Sequence, residues 1–274
     1  MLDGKVCVVS GAGAGIGRET AVEMARQDAR AVLAADLDRG RAEETAELVA
    51  AAGAESLGAA CDVSSAAQVE RLMATAAERF GGIDVLHNNA GIHETGLTDS
   101  PRLEDLDEAI FDKVCAVNLK GVWLATKFAT PYLRRRSEGA AIVNASSLSG
   151  LTGFEGAGVY CATKAAVILL TKVTALELAA DGIRCNCYCP AAADTEMPRA
   201  YIESAPDPVL AEQTLTGAHL IPRMADPLEI ARLVCFLASE DSSFMTGAAV
   251  PIDGGATAWR GVRQPVPTSP GGMQ

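Results

Sequence analysis

Short apolar runs alternate with longer stretches of helical spacing along most of the chain. The runs at 5–10, 31–36, 56–61, 85–88, 141–145, 183–189 and 249–252 have the length of strands. Between them, 16–27, 40–52, 66–80, 111–133 and 160–180 carry the 3.6-residue period of helices, with stops at Gly81-Gly82 and Asp181-Gly182. Strand–helix alternation requires crossover connections, and crossovers make a parallel sheet. Two stretches break the rhythm. Residues 191–219 carry Pro198, Pro206 and Pro208 and are long for a connection, which suggests a lid over a substrate. Residues 257–274 carry Pro265, Pro267, Pro270 and Gly271-Gly272, the composition of a mobile tail or an arm onto a neighbouring subunit. No repeat or linker divides the chain, so a single domain over 1–256 is expected ahead of that tail.

Composition narrows the picture. Ala, Val, Leu and Gly supply the bulk and aromatic residues only 4%, as suits helices packed closely on a sheet. A net charge of −12 argues against nucleic acid or an anionic membrane as partner. The basic run Arg134-Arg135-Arg136 falls where a helix should end and reads as compensation of its dipole. No signal segment opens the chain, and no apolar run approaches the ~20 residues of a bilayer span. The expected setting is the cytoplasm, where the eight cysteines stay reduced. Cys185, Cys187 and Cys189 resemble a metal box, but alternation on a strand makes them small core side chains, and no metal is expected.

The candidate chemistry sits at two places. The first strand runs through Gly11-Ala12-Gly13-Ala14-Gly15-Ile16-Gly17 straight into a helix. Glycines allow the tight turn and let backbone approach a pyrophosphate, which then rests on the helix N-terminus. A plain strand-to-helix turn is the competing reading. Asp36 ends the second strand, where a carboxylate can accept both ribose hydroxyls and would repel a 2′-phosphate. Neither Ala14 nor Leu37 offers a cation for such a phosphate, a combination that favours NAD over NADP. The competing reading of Asp36 is the acidic cap of the next helix. Further on, Tyr160 and Lys164 open an apolar helix and share one face. A phenol has a pKa of about 10, and a nearby ammonium lowers it towards working pH, fitting it to exchange the proton that balances hydride transfer. Ser147, at the C-terminal edge of the fifth run, can hold a substrate oxygen without titrating, or can simply cap a turn.

Taken in order, these residues resemble the main subgroup of the short-chain dehydrogenases/reductases over roughly residues 3–256. Gly11, Gly15, Ile16 and Gly17 match its cofactor loop, Asp62-Val63 its adenine contact, and Asn88-Asn89-Ala90-Gly91 its fourth-strand motif. Asn118, Ser147, Tyr160 and Lys164 match its catalytic tetrad, and Asp253-Gly254-Gly255 its final turn. The resemblance implies Tyr160 as acid/base, Lys164 on the nicotinamide ribose, Ser147 on the substrate oxygen and Asn118 on a relay water. It implies cofactor contacts from Asn89, Ala90, Gly91, Pro190 and Thr195. One departure stands out: the family's Pro-Gly after the sixth strand is here Pro190-Ala191. The expected fold is a single Rossmann-type α/β domain, a doubly wound parallel sheet of seven strands with helices on both faces. The expected reaction interconverts a secondary alcohol and a ketone with NAD, in a homotetramer formed through the helices at 111–133 and 160–180. Substrate contacts fall to His93, Glu94, Leu148, Phe154, Met197 and Tyr201, for a medium-sized, largely apolar alcohol. An NADPH-dependent carbonyl reductase on the same fold, and a non-catalytic NAD-sensing scaffold, are the rival readings.

Overall fold

The computed structural model describes residues 1–136 and 139–259. Seven parallel strands form one sheet in the order β3-β2-β1-β4-β5-β6-β7. They are β1 Val6–Ser10, β2 Ala31–Asp36, β3 Glu55–Ala60, β4 Val85–Asn88, β5 Ala141–Ala145, β6 Arg184–Pro190 and β7 Ala249–Ile252. Each lies within two residues of its expected run. Alternate side chains serve two cores because both sheet faces are covered. Cys7, Val9, Val32, Ala34 and Val143 pack with helices α1 (Gly15–Arg26) and α9 (Pro227–Ala238) on one face. Val6, Val8, Leu33, Leu86 and Ile142 pack on the other, with α3 (Ala66–Phe80), α5 (Gly121–Leu133) and α6 (Gly158–Leu178). Cys185, Cys187 and Cys189 are buried along β6.

The helices depart from expectation in four places. The helix expected over 111–133 begins earlier, as α4 (Glu108–Cys115), and reaches α5 only through a π-helical turn, Ala116–Lys120. Such a widened turn inserts a residue without breaking the helix, and is invisible to a search for regular period. The lid is not a bare loop. It holds α7 (Glu196–Ser204) and α8 (Pro208–Thr216), with Pro208 in the first turn of α8, where its missing N–H costs nothing. Helix α9 has a readable start in Asp226-Pro227-Leu228-Glu229, a capping box with proline in the first turn. Lastly, Gly158–Asp181, which is α6 with its 3-10 extension, is long and apolar enough by composition to cross a bilayer, at mean hydropathy 1.5. No uninterrupted apolar run betrays it, because Lys164, Lys172 and Glu177 divide it. Its buried face instead packs on β5 and β6. Beyond Trp259, whose indole donates to Ala218 O at 2.9 Å, the expected tail lies outside the described residues.

The basic run ends α5 as expected and then ties the sheet together. Arg134 pairs with Asp181 at 2.8 Å, while Arg136 holds Asp84 through two nitrogens, its Nη2 at 2.7 Å. Asp84 is buried just before β4 and also accepts the Val6 N–H at 2.8 Å. One carboxylate therefore aligns β1, β4 and the end of α5. Asp84→Ala strands an arginine and a strand N–H, and should cost about 2–3 kcal/mol of folding stability by denaturant titration. A loss below about 0.5 kcal/mol, the ordinary range of a surface change, would show that the pair is ornamental.

Candidate active site

The chain leaves β1 in one direction for β2 and β3, then returns to the other side of β1 with β4, so neighbouring loops part at the C-terminal ends of β1 and β4. Parallel register brings Ser10, Asn88 and Asn144 level across that edge. The loops that follow enclose a cleft of about 480 Å³. Gly11, Gly15, Ile16, Asp36, Asn89, Ala90, Gly91, Tyr160, Lys164, Pro190, Thr195 and Met197 line it, and the sequence singles out every one of them.

At one end lies the glycine loop. Gly11 has φ +62, and a Cβ there would come within 2.7 Å of Ala90 Cα. A Cβ on Gly17 would strike the Gly11 carbonyl oxygen and lie 2.5 Å from Asn89 Nδ2. Ala14 provides no side-chain cap to α1, so the first N–H groups of that helix remain available to an anion. The structure resolves Asp36 from its rival reading, because Asp38 is the cap of α2 (Arg39–Ala51), accepting from Arg41 N at 3.2 Å. Asp36 turns to the loop instead. Its Oδ2 accepts the Gly13 N–H at 2.8 Å and Oδ1 the Asp38 N–H at 3.0 Å, leaving further acceptor capacity on both oxygens. Leu37 beside it is 76% exposed.

Two residues that sequence reasoning misses belong here. Gly13 reads as filler between the motif glycines. Arg41 borders Gly13 through its Cβ and reaches Glu196 of α7 at 2.8 Å. It is a cation beside Asp36 that comes one turn beyond Leu37, where a phosphate partner is expected. Conversely, Asp62 and Val63 do not line this cleft. The Asp62 carboxylate is engaged by Ser64 N and Oγ at 2.9 and 2.6 Å, and Val63 packs on Gly121.

At the other end the expected tetrad converges. Lys164 is buried and donates to Ala145 O at 2.9 Å. Its Nζ lies 5.5 Å from the centroid of the Tyr160 ring. Asn118 sits in the π-helical turn, grips the Ile92 backbone at 2.9 and 2.8 Å, and points Oδ1 towards Gly91 beside the Lys164 ammonium. Ser147 caps a 3-10 turn through Ser149 N at 3.1 Å, as its competing reading holds, and its hydroxyl faces the Tyr160 phenol. Burial pushes the phenol up to about 12, against the pull of the Ser147 hydroxyl, and pushes the Lys164 ammonium down to about 8. The lowering of Tyr160 expected from the ammonium is not found: desolvation comes first, and Lys164 spends a hydrogen bond on a backbone carbonyl. Ala191 has no left-handed backbone and donates to Ile252 O at 3.2 Å, so the missing glycine leaves no strain.

Substrate candidates divide. His93 stacks on Tyr160 with ring centroids 4.4 Å apart, and Phe154 meets Tyr201 edge-on at 6.5 Å. Leu148 opens the turn that Ser147 caps. Glu94 faces the interior instead. It is wholly buried and binds the start of α6, because two backbone N–H groups there compensate its charge.

Comparison with known proteins agrees with this arrangement. The family model described as enoyl-(acyl carrier protein) reductase matches residues 11–257. Meso-2,3-butanediol dehydrogenase of Serratia marcescens is 38% identical, over 93% of this chain and 96% of its own. The chain belongs to the short-chain dehydrogenases/reductases. Another relative, 2-(S)-hydroxypropyl-CoM dehydrogenase 3 of Xanthobacter autotrophicus, is 36% identical over 94% of this chain and 98% of its own. Among solved structures, a short-chain type dehydrogenase/reductase from Mycobacterium marinum superposes with TM-score 0.83 at 31% identity, covering 93% and 96% of the two chains. Aldohexose dehydrogenase of Thermoplasma acidophilum does so with TM-score 0.83 at 33% identity, covering 97% and 98%.

The family's members use dinucleotides, and the cradle fits one because only glycine at positions 11 and 17 lets the loop close on its own backbone and on Asn89 into the tight turn that a pyrophosphate approaches. Gly17→Ala should therefore weaken dinucleotide binding by at least about tenfold, an overpacking penalty of about 1–3 kcal/mol or more. Fluorescence titration with NADH measures it, and an unchanged Kd would remove the loop from the binding site.

Proposed function

We propose that this oxidoreductase interconverts a secondary alcohol and a ketone with NAD, with Tyr160 as the acid/base. The observation that carries the reading is the placement of Tyr160, Ser147 and Lys164 at one end of the cleft whose other end is Asp36. When bound, the nicotinamide supplies or accepts the hydride. Ser147 and Tyr160 hold the substrate oxygen through neutral hydroxyls, and Tyr160 passes the proton. Lys164, buried and with a second hydrogen-bonding direction to spare, serves the ribose hydroxyls, and Asn118 orders the path by which the proton reaches solvent. The relatives' names point the same way, since 2,3-butanediol and a 2-hydroxypropyl group are secondary alcohols. Met197 and the Phe154–Tyr201 pair favour a largely apolar substrate of medium size.

We further propose a cytoplasmic homotetramer. All eight cysteines are free, and Phe111, Trp123, Leu169, Val173 and Leu176 are exposed large apolar side chains on α4, α5 and α6, as an interface between subunits would use. Arg41 supports a second reading, NADP use, as a cation beside Asp36. Its guanidinium is engaged by Glu196, and Asp36 remains to repel a phosphate.

Asp36 gives the sharpest test of cofactor choice. Charge-assisted bonds to two ribose hydroxyls, each worth about 1.5–3 kcal/mol, should make kcat/KM with NAD at least about a hundredfold that with NADP. Asp36→Ala combined with Leu37→Arg should shrink or invert the ratio by removing repulsion and adding a phosphate partner. Equal use of both cofactors by the parent would refute this reading of Asp36.

The direction of the pH dependence tests Tyr160. A phenol held at about 12 is protonated at neutral pH and ready to donate to a ketone. Alcohol oxidation needs the deprotonated form, so its kcat/KM should rise as pH increases from neutral towards that value while that of reduction falls. Profiles moving in the same direction would exclude a single group serving both. Following NADH absorbance with a panel of secondary alcohols supplies the substrate for these assays.

A further inference from the structure

The catalytic helix is capped from outside itself. Ala157, at the N-cap of α6, offers no side-chain bond. Glu94, on the loop after β4, supplies it: Oε1 accepts the N–H groups of Val159 at 2.9 Å and Tyr160 at 3.1 Å. Glu94 is 0% exposed. Burying a carboxylate is costly, and a serine or aspartate at position 157 would cap the helix without it. The positive end of a 21-residue helix offsets part of that cost.

The other carboxylate oxygen does something a cap does not require. Oε2 is buried with no hydrogen-bond partner among the described residues, 3.6 Å from His93 Nδ1. That nitrogen accepts from Thr95 N at 3.2 Å, and the imidazole stacks on Tyr160 at 4.4 Å and 32°. Glu94 therefore reaches Tyr160 through the backbone N–H within the helix, and its second oxygen lies unpartnered beside the ring that stacks on the phenol.

We propose that Glu94 is a positioning residue for Tyr160, anchoring the first turn of α6 and placing a buried negative charge beside the phenol. The proposal rests on the reading of Tyr160 as acid/base. The phenol is faced by Lys164 and Cys161 of α6, the Ser147 hydroxyl after β5, Tyr188 of β6, and His93 and Glu94 of the loop after β4. Burial comes first in raising the proton affinity of the phenol, the Ser147 hydroxyl lowers it, and Cys161 and then Glu94 raise it further. Glu94 thereby favours the protonated phenol that ketone reduction requires.

Two variants separate anchor from charge. Glu94→Gln keeps an oxygen for both N–H groups and removes the charge, whereas Glu94→Ala removes both. The NAD-bound full chain, labelled with carbon-13 at tyrosine Cζ, reports phenol and phenolate, and the Tyr160 signal is the one missing from Tyr160→Phe. At a common alkaline pH, the phenolate fraction of Tyr160 should be at least about threefold higher in Glu94→Gln than in the parent. The Tyr160 amide should keep its hydrogen-exchange protection in Glu94→Gln and exchange at least about tenfold faster in Glu94→Ala. Superimposable Tyr160 titrations of parent and Glu94→Gln overturn the proposal, and that comparison decides alone if Glu94→Ala does not fold. Because the titration needs no turnover, it is independent of the acid/base reading, which fails separately if Tyr160→Phe retains activity.

Discussion

Where the chain reverses across the sheet, the side-chain amide of Asn89 spans the loops after β1 and β4. Its nitrogen donates to the Ser10 and Gly11 carbonyls at 3.2 and 2.9 Å, and its oxygen accepts from the Tyr188 hydroxyl at 3.3 Å. The Asn89 and Ala90 N–H groups donate back to Ser10 Oγ at 3.2 and 3.3 Å. The gap is thus stitched in both directions, and Gly17 can sit against Gly11 because the loop cannot spread. Behind the amide, His87 Nε2 lies 3.1 Å from Tyr188 Oη. Burial lowers His87 to about 3, so the ring is neutral. A proton on Nε2 completes one chain of donors from His87 through Tyr188 to Asn89, with Nδ1 left as the unpartnered atom. The shape of the dinucleotide cleft depends on this chain, although its members come from β4 and β6.

The catalytic end is organised by a different cost, that of keeping ionisable groups out of water. Lys164 retains a carbonyl partner but is brought near neutrality, and the Tyr160 phenol is held in its acid form. Burial thus favours the uncharged form of both groups, the free amine at Lys164 and the protonated phenol at Tyr160. Glu94 and Asp84 follow the opposite rule. Each is buried, and each is matched to backbone N–H groups or to an arginine at an element end, so each works as a fastener.

Much of the molecule is legible in its amino-acid sequence. All seven strands, the glycine loop and the Tyr160–Lys164 pair are local patterns, in which chain neighbours decide the outcome through spacing, turn chemistry and helix period. Motif order then assigns the chain to a family of known architecture. What escapes is either irregular or distant. The π-helical turn that aims Asn118 keeps a helical composition while changing its period. Helices α7 and α8 hide in a proline-rich stretch because each proline falls at a helix start or between helices.

The sequence by itself determined the parallel sheet, the edge at which a site forms and the chemical identity of the groups there, since each follows from local spacing and from strands that all point one way. Only the tertiary structure decided what those groups experience. Asp38, and not Asp36, caps α2; Arg41 stands beside Asp36 and pairs with Glu196; Glu94 caps a helix whose own N-cap is alanine. These are contacts between residues far apart in the chain, or choices between neighbours equally able to make them. Desolvation likewise depends on how many atoms the fold packs around a group, so the balance at Tyr160 and Lys164 is a property of packing that no spacing of letters encodes.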